Sequence, residues 1–165
     1  MYIIALALTL ALGAPPDLFS IQTDLQGLYD EISQAVLQFA TTQDADQFYQ
    51  VLYTPDWAFV DAAGQRHAWP EIRDQIMHAT PVESTEQPIQ KLALVPGGAV
   101  TTVKASTTRT IVDTEGRYGK PGESHLLDEK IVYRDTWVQV GDQWKLKLRE
   151  QVGPPKVQVD PSIYY

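Results

Sequence analysis

Apolar and polar residues alternate over residues 131–151 in two runs that are separated by a short turn. The turn, residues 140–143 (VGDQ), has the glycine and aspartate that favour a tight connection between antiparallel strands. Successive side chains of a strand point to opposite faces, so each run has one mainly apolar face. The pattern therefore predicts a long β-hairpin close to the C-terminus.

Each apolar face of this hairpin contains one carboxylate. The faces are predicted to contain Ile131, Tyr133, Asp135 and Trp137 in the first strand, and Trp144, Leu146, Leu148 and Glu150 in the second. The opposite face of the second strand is predicted to face solvent, with Lys145, Lys147, Arg149 and Gln151. An apolar face interrupted by a single acid is typical of a pocket wall, because an unpaired buried carboxylate is costly. We therefore expect Asp135 and Glu150 to face a pocket.

Three helices are predicted in the first half of the chain. Apolar residues three and four positions apart predict an amphipathic helix over residues 17–42. A second helix is predicted to begin near Asp44, with Asp44 and Gln47 as its capping box, and to end before Pro55. A third is predicted to begin at residues 69–71, where proline and glutamate suit the first helical turn.

The remaining periodic segments have the pattern of strands. A short strand is predicted at residues 56–61, with a turn at 62–65, and longer strands at 89–95 and 99–112. One amphipathic helix covers a sheet of such long strands only if the sheet curls around it. The order of elements therefore predicts an α+β domain with a curved antiparallel sheet wrapped around the N-terminal helix.

The composition restricts the class of protein. The chain has 165 residues, which is the length of one domain, and it contains no cysteine, so disulfides and thiolate chemistry are excluded. The formal net charge is −8 and there is no basic stripe, which argues against a nucleic-acid partner. The apolar run at the start of the chain is too short for a stable membrane span.

Residues 1–16 begin with this apolar run and end in small residues and prolines. The pattern is typical of a secretory signal peptide, and the alternative is an apolar arm that packs on the domain or on a partner. We expect export, to the periplasm or the medium, with a cytoplasmic location as the alternative. The domain is expected to occupy residues 17–153, and residues 154–165 are expected to form a tail without regular structure.

Two segments carry a resemblance to a known family: residues 52–64 (LYTPDWAFVDAAG) and residues 135–146 (DTWVQVGDQWKL). These segments, and the order of elements from residue 18 to residue 152, resemble the nuclear transport factor 2-like superfamily, which is also described as a cystatin-like α+β cone. The superfamily includes SnoaL-like polyketide cyclases, ketosteroid isomerases and scytalone dehydratase. The resemblance implies the cone fold, whereas a fold alone does not determine an activity.

The resemblance also implies roles for individual residues of a ketosteroid isomerase-like site. Asp61 falls where those enzymes have the carboxylate that moves a proton, and Asp135 falls where they have a neutral carboxylic acid that stabilises the oxyanion. A tyrosine of the first helix completes their site, and Leu37 is at that position in this sequence. Tyr133, on the same face as Asp135, is the candidate substitute.

The residues themselves leave alternatives open. Asp61 is also explained as an acid that caps the turn after it. Arg109 is predicted to face inward, where a buried ion pair with Asp135 or Glu150 is the structural alternative to a binding site. Most aromatic residues are expected in the core, and some at a pocket mouth. The candidate ligand-binding residues are Trp57, Phe59, Arg109, Trp137 and Glu150.

The functional hypotheses differ in whether the pocket is catalytic. The first is a non-catalytic SnoaL-like domain that holds a small apolar or amphipathic molecule. The alternative is a cofactor-independent proton-transfer enzyme, an isomerase, cyclase or dehydratase, that uses Asp61 and Asp135. No cofactor is expected, and the three histidines do not have the spacing of a metal site. A homodimer is expected through the outer face of the hairpin, which presents Val132, Thr136 and Val138.

Overall fold

The computed structural model describes residues 17–39 and 41–160 of the protein. The helices in this part of the chain are α1 (Leu18–Gln38), α2 (Thr42–Leu52) and α3 (Trp69–His78). The strands are β1 (Tyr53–Val60), β2 (Arg66–Ala68), β3 (Ser84–Glu86), β4 (Ile89–Val95), β5 (Gly98–Asp113), β6 (Glu123–Val140), β7 (Gln143–Gln151) and β8 (Lys156–Val159). The predicted signal peptide or arm, residues 1–16, lies outside the described residues.

The strands form one curved, open sheet in the order β2-β1-β7-β6-β5-β3, to which β4 and β8 are added through β5 and β6. The predicted α+β class, with a curved sheet and an N-terminal helix, is confirmed. The sheet is not purely antiparallel, because β1 pairs with β7 in parallel. These two strands are far apart in the chain, so no hairpin sets their relative direction.

α1 supplies one side of the core. Asp17 caps its N-terminus by accepting a hydrogen bond from the backbone N–H of Phe19 (3.2 Å). Its buried apolar face has the predicted spacing of three and four residues and comprises Ile21, Leu25, Tyr29 and Ile32. The same face that anchors the helix therefore carries a tyrosine into the core.

The start of α2 differs from the prediction. The hydroxyl of Thr41 accepts from the backbone N–H of Asp44 (3.2 Å), and the Asp44 carboxylate accepts from the backbone N–H of Thr41 (3.0 Å). The capping box is therefore Thr41 with Asp44 rather than Asp44 with Gln47, since the hydroxyl three residues earlier completes the reciprocal pair. The helix ends at Leu52, before Pro55, as predicted.

The predicted hairpin is present as β6 and β7, but β7 contains a β-bulge. Trp137 of β6 pairs with Leu146. The preceding residue, Thr136, pairs with Leu148, so Lys147 has no partner across the hairpin. One extra residue reverses which side chains face inward beyond that point.

Residues after the bulge have the opposite orientation to the predicted one. Arg149 pairs with Asp135 on the inner face, and its side chain is only 13% exposed. Glu150 lies on the outer face, where it forms an ion pair with Arg134 (2.9 Å). The predictions that Arg149 faces solvent and that Glu150 faces a pocket are therefore wrong.

The expectation of an irregular tail is wrong for Lys156–Val159, which forms β8 and pairs with residues 127–130 of β6. Asp160 follows at φ 46°; its carboxylate accepts from the backbone N–H of Leu126 (2.9 Å) and contacts His125 (2.7 Å). We call these contacts of Asp160 the β8 clasp. A strand of four residues after two prolines has too little periodicity to be found in the sequence.

We expect the β8 clasp to weaken at alkaline pH. The hydrogen bond to Asp160 raises the pKa of His125 above 6.5, and the same contact lowers the pKa of Asp160 below 3.8. The contribution of His125 is complete below pH 6.5 and is lost as the pH rises through the raised pKa. The contribution of Asp160 is lost only as the pH falls through its lowered pKa. Hydrogen exchange of the β8 amides, corrected for intrinsic rates, should show more protection at about pH 5.5 than at about pH 8.5.

Asp160→Asn is the matched control for this prediction. Asparagine tolerates a positive φ, so the backbone is preserved while the charge is removed. The variant should lose the difference in protection between the two pH values. Equal protection of β8 at both pH values in the unaltered protein would contradict the prediction.

Aromatic side chains of α2, β1 and α3 pack into one cluster beside the sheet. Tyr49 stacks on Trp69, with ring centroids 4.7 Å apart, and on Tyr53 at 5.2 Å. Trp57 meets Tyr53 edge-on at 5.0 Å. Such pairs stabilise the fold beyond the burial of their area. The cluster forms one side of the candidate site.

Candidate functional site

A buried ion pair joins β6 and β7. Arg149 donates from Nε to Asp135 Oδ1 (3.0 Å) and from Nη2 to Oδ2 (2.7 Å). Asp135 has no exposed surface. Burial disfavours the charge of Arg149, but the adjoining carboxylate outweighs this effect and raises the pKa of the guanidinium. Two parallel hydrogen bonds between charged groups fix the orientation of both side chains.

Tyr29 of α1 connects this ion pair to the rest of the core. Its hydroxyl donates to Asp135 Oδ2 (2.7 Å). A hydroxyl has one proton, so the oxygen of Tyr29 accepts from the hydroxyl of Thr101 (2.5 Å) and from the indole N–H of Trp137 (2.9 Å). Burial, and then the charge of Asp135, raises the pKa of Tyr29 well above its ordinary value. We call the ion pair and these three residues the buried network.

A cavity of about 350 Å³ lies beside the buried network. Its aromatic lining comprises Tyr53, Trp57, Phe59, Trp69 and Tyr133. Its aliphatic lining comes from the helices and comprises Ile32, Val36, Ile72 and Ile76. This volume is at the lower end of the range for small-molecule sites in proteins. We call it the aromatic cavity.

Two side chains that line the aromatic cavity have donors without protein partners. Asp135 engages Nε and Nη2 of Arg149, and the described residues provide no partner for Nη1. The hydroxyl of Tyr133 likewise has no hydrogen-bond partner within residues 17–39 and 41–160. Burial raises the pKa of Tyr133, so its hydroxyl keeps its proton at neutral pH. The guanidinium of Arg149 lies over the ring of Tyr133, 4.5 Å from its centroid, and both side chains line the cavity.

Two further residues of the lining have buried polar atoms without partners. The indole Nε1 of Trp57 and the side-chain Oε1 of Gln87 form no hydrogen bond to any described residue. Unsatisfied buried polar groups are rare in folded proteins and are commonly explained by a bound molecule or water. Both atoms are fully buried, so they add nothing to the donors and acceptors that an occupant of the cavity can reach.

Arg109 also lines the aromatic cavity, as predicted from its inward orientation. The alternative of an ion pair with Asp135 or Glu150 is not what the structure has, because Nη2 of Arg109 binds Glu129 Oε2 (2.7 Å). Arg109 is directly opposite Leu127, and Glu129 is two residues further along the same face of β6. Diagonal neighbours of this kind are within reach of long side chains.

Asp61 organises the turn after β1. Its Oδ1 accepts from the backbone N–H groups of Gln65 (2.8 Å) and Ala63 (2.9 Å), and its Oδ2 contacts His67 (3.2 Å). The hydrogen bond from Gln65, followed by that from His67, lowers the pKa of Asp61. A general base at neutral pH needs a raised pKa and access to the substrate. Asp61 is not part of the lining of the aromatic cavity, so its geometry matches the turn-capping alternative.

Solved structures with the same architecture identify the fold. A nuclear transport factor 2-like protein from Cytophaga hutchinsonii has a TM-score of 0.55 at 14% identity, covering 82% of this chain and 97% of that one. A nuclear transport factor 2-like superfamily protein from Salmonella enterica has a TM-score of 0.56 at 11% identity, covering 89% and 99%. A candidate scytalone dehydratase from Novosphingobium aromaticivorans has a TM-score of 0.57 at 15% identity, covering 88% and 91%. The chain has the nuclear transport factor 2-like fold.

The assignment of the nuclear transport factor 2-like fold rests on similarity of structure and not on similarity of sequence. A scan against protein-family profiles and a search of curated proteins each find no match. The identities to the solved structures are 11–15%, so these structures show the fold and carry no activity over to this chain.

The nuclear transport factor 2-like domain brings together about half of the predicted site residues. Those that line the aromatic cavity are Trp57, Phe59, Arg109 and Tyr133. Those that lie elsewhere are Asp61 in its turn, Glu150 on the outer face, and Asp135 and Trp137 in the buried network. The inner face of β6 therefore supplies both a cavity residue and the core acid, as the alternation predicts.

Sequence reasoning missed the two residues that bind Asp135. Tyr133, the candidate substitute for the helix tyrosine, forms no hydrogen bond to Asp135 among the described residues, whereas Tyr29 of α1 donates to it. Tyr29 lies four residues after Leu25 on the buried face of α1, so helical spacing contained a usable signal. No comparable pattern indicates Arg149, because the alternation of apolar and polar residues in β7 does not reveal the bulge.

The charged groups of the aromatic cavity suit an anion better than a cation. Arg109 and Arg149 have hydrogen-bond donors and no acceptors. Within the described part of the chain, no group of three or more side chains of the metal-ligating types is found. In the same residues, no helix is long and apolar enough to cross a membrane.

Proposed function

We propose that this domain binds a small amphipathic molecule in the aromatic cavity, with a hydrogen-bond acceptor of that molecule against Arg149. The observation that carries the proposal is the position of the Arg149 guanidinium. One edge of it is held by Asp135, and the side chain lines the cavity over the ring of Tyr133. A carboxylate or carbonyl oxygen complements these donors.

The surroundings of Arg149 favour tight binding of a flat apolar body. Tyr53, Trp57 and Phe59 line the cavity and lose little conformational entropy on binding, because aromatic side chains have few rotatable bonds. The ion pair with Asp135 orients Arg149 before a ligand arrives. Binding then requires little reorganisation of the protein, which increases affinity.

The geometry gives less support to proton transfer by Asp61 and Asp135. Asp135 has no exposed surface, and its oxygens are engaged by Arg149 and Tyr29. A substrate would reach it only after the ion pair opened. The lowered pKa of Asp61 makes it a weak base. The geometry therefore supports binding better than proton transfer.

A pair of fluorescent probes that differ by one anionic group tests the proposal. We expect anilinonaphthalene sulfonate to bind at least about tenfold more tightly than neutral phenylnaphthylamine, because a hydrogen bond to a charged group contributes about 1.5–3 kcal/mol. Arg149→Lys should remove most of this preference, since lysine keeps the charge and loses the planar array of donors. Fluorescence titration measures all of these affinities.

Arg134→Lys is the matched control, because Arg134 is exposed on the outer face of the same hairpin. It should leave the affinities for both probes unchanged. Equal affinities of the unaltered protein for the two probes would refute the proposed acceptor site. An undiminished preference in a folded Arg149→Lys variant would refute it as well.

The homodimer and the export of the protein stay predictions. The outer face of β6 presents three partly exposed residues to a partner: Val132, Thr136 and Val138. Sedimentation velocity tests the dimer. The N-terminal residue of protein recovered from its native cell tests the export.

A further inference from the structure

A second cavity, of about 390 Å³, adjoins the aromatic cavity. It lies between the C-terminal ends of α1 and α3 and the strands β3, β5 and β6. We call it the distal cavity. The residues that line both cavities are Val36, Ile76, Ala79, Arg109 and Tyr133. The free hydroxyl of Tyr133 therefore belongs to a side chain at the junction of the two spaces.

The polar side chains of the distal cavity are largely paired with one another. Arg109 forms an ion pair with Glu129 (2.7 Å). The hydroxyls of Thr85 and Thr107 share a hydrogen bond between β3 and β5 (3.1 Å). The apolar residues that complete the lining include Leu37, Phe39, Met77, Pro81, Val82 and Ile131. The distal cavity therefore suits an apolar group, which asks for no hydrogen bond.

The two cavities meet at the five residues that line both of them. Val36, Ile76 and Ala79 form the helical side of this junction. The opposite side has Tyr133, whose ring faces the guanidinium of Arg149 at 4.5 Å. The two cavities differ in hydrogen bonding: the aromatic cavity has unpaired donors, whereas the polar side chains of the distal cavity are largely paired with one another.

We propose that one ligand occupies both cavities, and that it is an elongated carboxylic acid. Its carboxylate lies at Arg149 and Tyr133, and its hydrocarbon chain extends past Arg109 into the distal cavity. This inference rests on the proposed function and extends it from the polar group of the ligand to its length. Each cavity alone is near the lower limit for a small-molecule site, and the two together reach the middle of that range.

A series of acids of increasing length tests the inference. Butyrate, octanoate and dodecanoate are compared by their displacement of anilinonaphthalene sulfonate. We expect the affinity to rise by up to about fourfold for each methylene that enters the distal cavity, and to level off when the cavity is full. Ile131→Trp, which fills the distal cavity from β6, should remove most of the gain with length.

Gln139→Trp is the matched control, since Gln139 is exposed on the same strand and outside both cavities. It should preserve the dependence of affinity on length. If Ile131→Trp does not fold, Val82→Trp closes the same cavity from the segment after α3. Ile131→Trp and Val82→Trp both act on the distal cavity and leave Arg149 in place.

The outcomes separate this inference from the proposed function. Equal affinities for the three acids would overturn the inference and leave the proposed function standing, because butyrate still reports the Arg149 site. A length dependence that survives Ile131→Trp and Val82→Trp would also overturn it, since the chain would then lie elsewhere. If none of the acids displaces the probe, both proposals fail.

Discussion

Arg149→Met is expected to lower the free energy of unfolding by about 3–5 kcal/mol. Methionine fills part of the space but leaves Tyr29 as the remaining side-chain partner of Asp135 among the described residues. Asp135 has no exposed surface, so water cannot compensate for the lost cation. Urea-induced unfolding, followed by tryptophan fluorescence, measures the change.

Two further variants separate this effect from the loss of a surface contact. Arg134→Met removes the partner of Glu150 on the same hairpin, and since Arg134 is 57% exposed we expect a loss of at most about 1 kcal/mol. Adding Asp135→Asn to Arg149→Met should restore part of the stability, because it removes the charge that lost its partner. If Arg149→Met costs no more than Arg134→Met, the buried ion pair is not a main determinant of stability.

Tyr29→Phe is expected to lower the free energy of unfolding by about 2–3 kcal/mol. The hydroxyl donates to Asp135 and accepts from Trp137, so its removal leaves buried polar groups short of a partner. Phenylalanine preserves the edge-on packing on Trp137, where the ring centroids are 5.3 Å apart. The measured loss in chemical unfolding therefore reports the hydroxyl alone, and the indole N–H resonance of Trp137 should shift with it.

Tyr49→Phe is the control for this substitution. Its hydroxyl donates to the backbone carbonyl of Thr54 (3.0 Å) and takes no part in the buried network. We expect a loss of about 0.5–1.5 kcal/mol, which is typical of a single neutral hydrogen bond. Similar losses for Tyr29→Phe and Tyr49→Phe would contradict the central position that the structure gives to Tyr29.

Elements with a long periodic pattern were predictable from the sequence. The apolar stripe of α1 and the alternation in β6 arise from local geometry, which repeats along each element whatever it packs against. The N-cap at Thr41 and the four residues of β8 were not predicted. A cap depends on one reciprocal contact and β8 depends on a distant strand, so neither produces a periodic signal.

The candidate site was predictable only in part, for the same reason. Alternation places Tyr133 and Asp135 on one face of β6, and the structure agrees. Arg109 faces inward as expected, but its partner is Glu129, which is identified only by the register of β5 with β6. The sequence indicates which residues of one strand share a face, whereas the partner across the sheet depends on pairing over a long separation in the chain.

The α+β class, the curved sheet with its N-terminal helix, and the inward position of Asp135 were all predictable from the sequence. These follow from residue periods of about 2 and about 3.6. The pairing of Asp135 with Arg149 rather than Glu150 depends on the folded sheet, because one extra residue in β7 reverses the faces of the strand while the hydrophobic pattern stays the same. The hydrogen bond from the Tyr29 hydroxyl to Asp135 and the meeting of the two cavities at Tyr133 also depend on the tertiary structure. The packing of whole elements sets the distances between residues that are far apart in the chain.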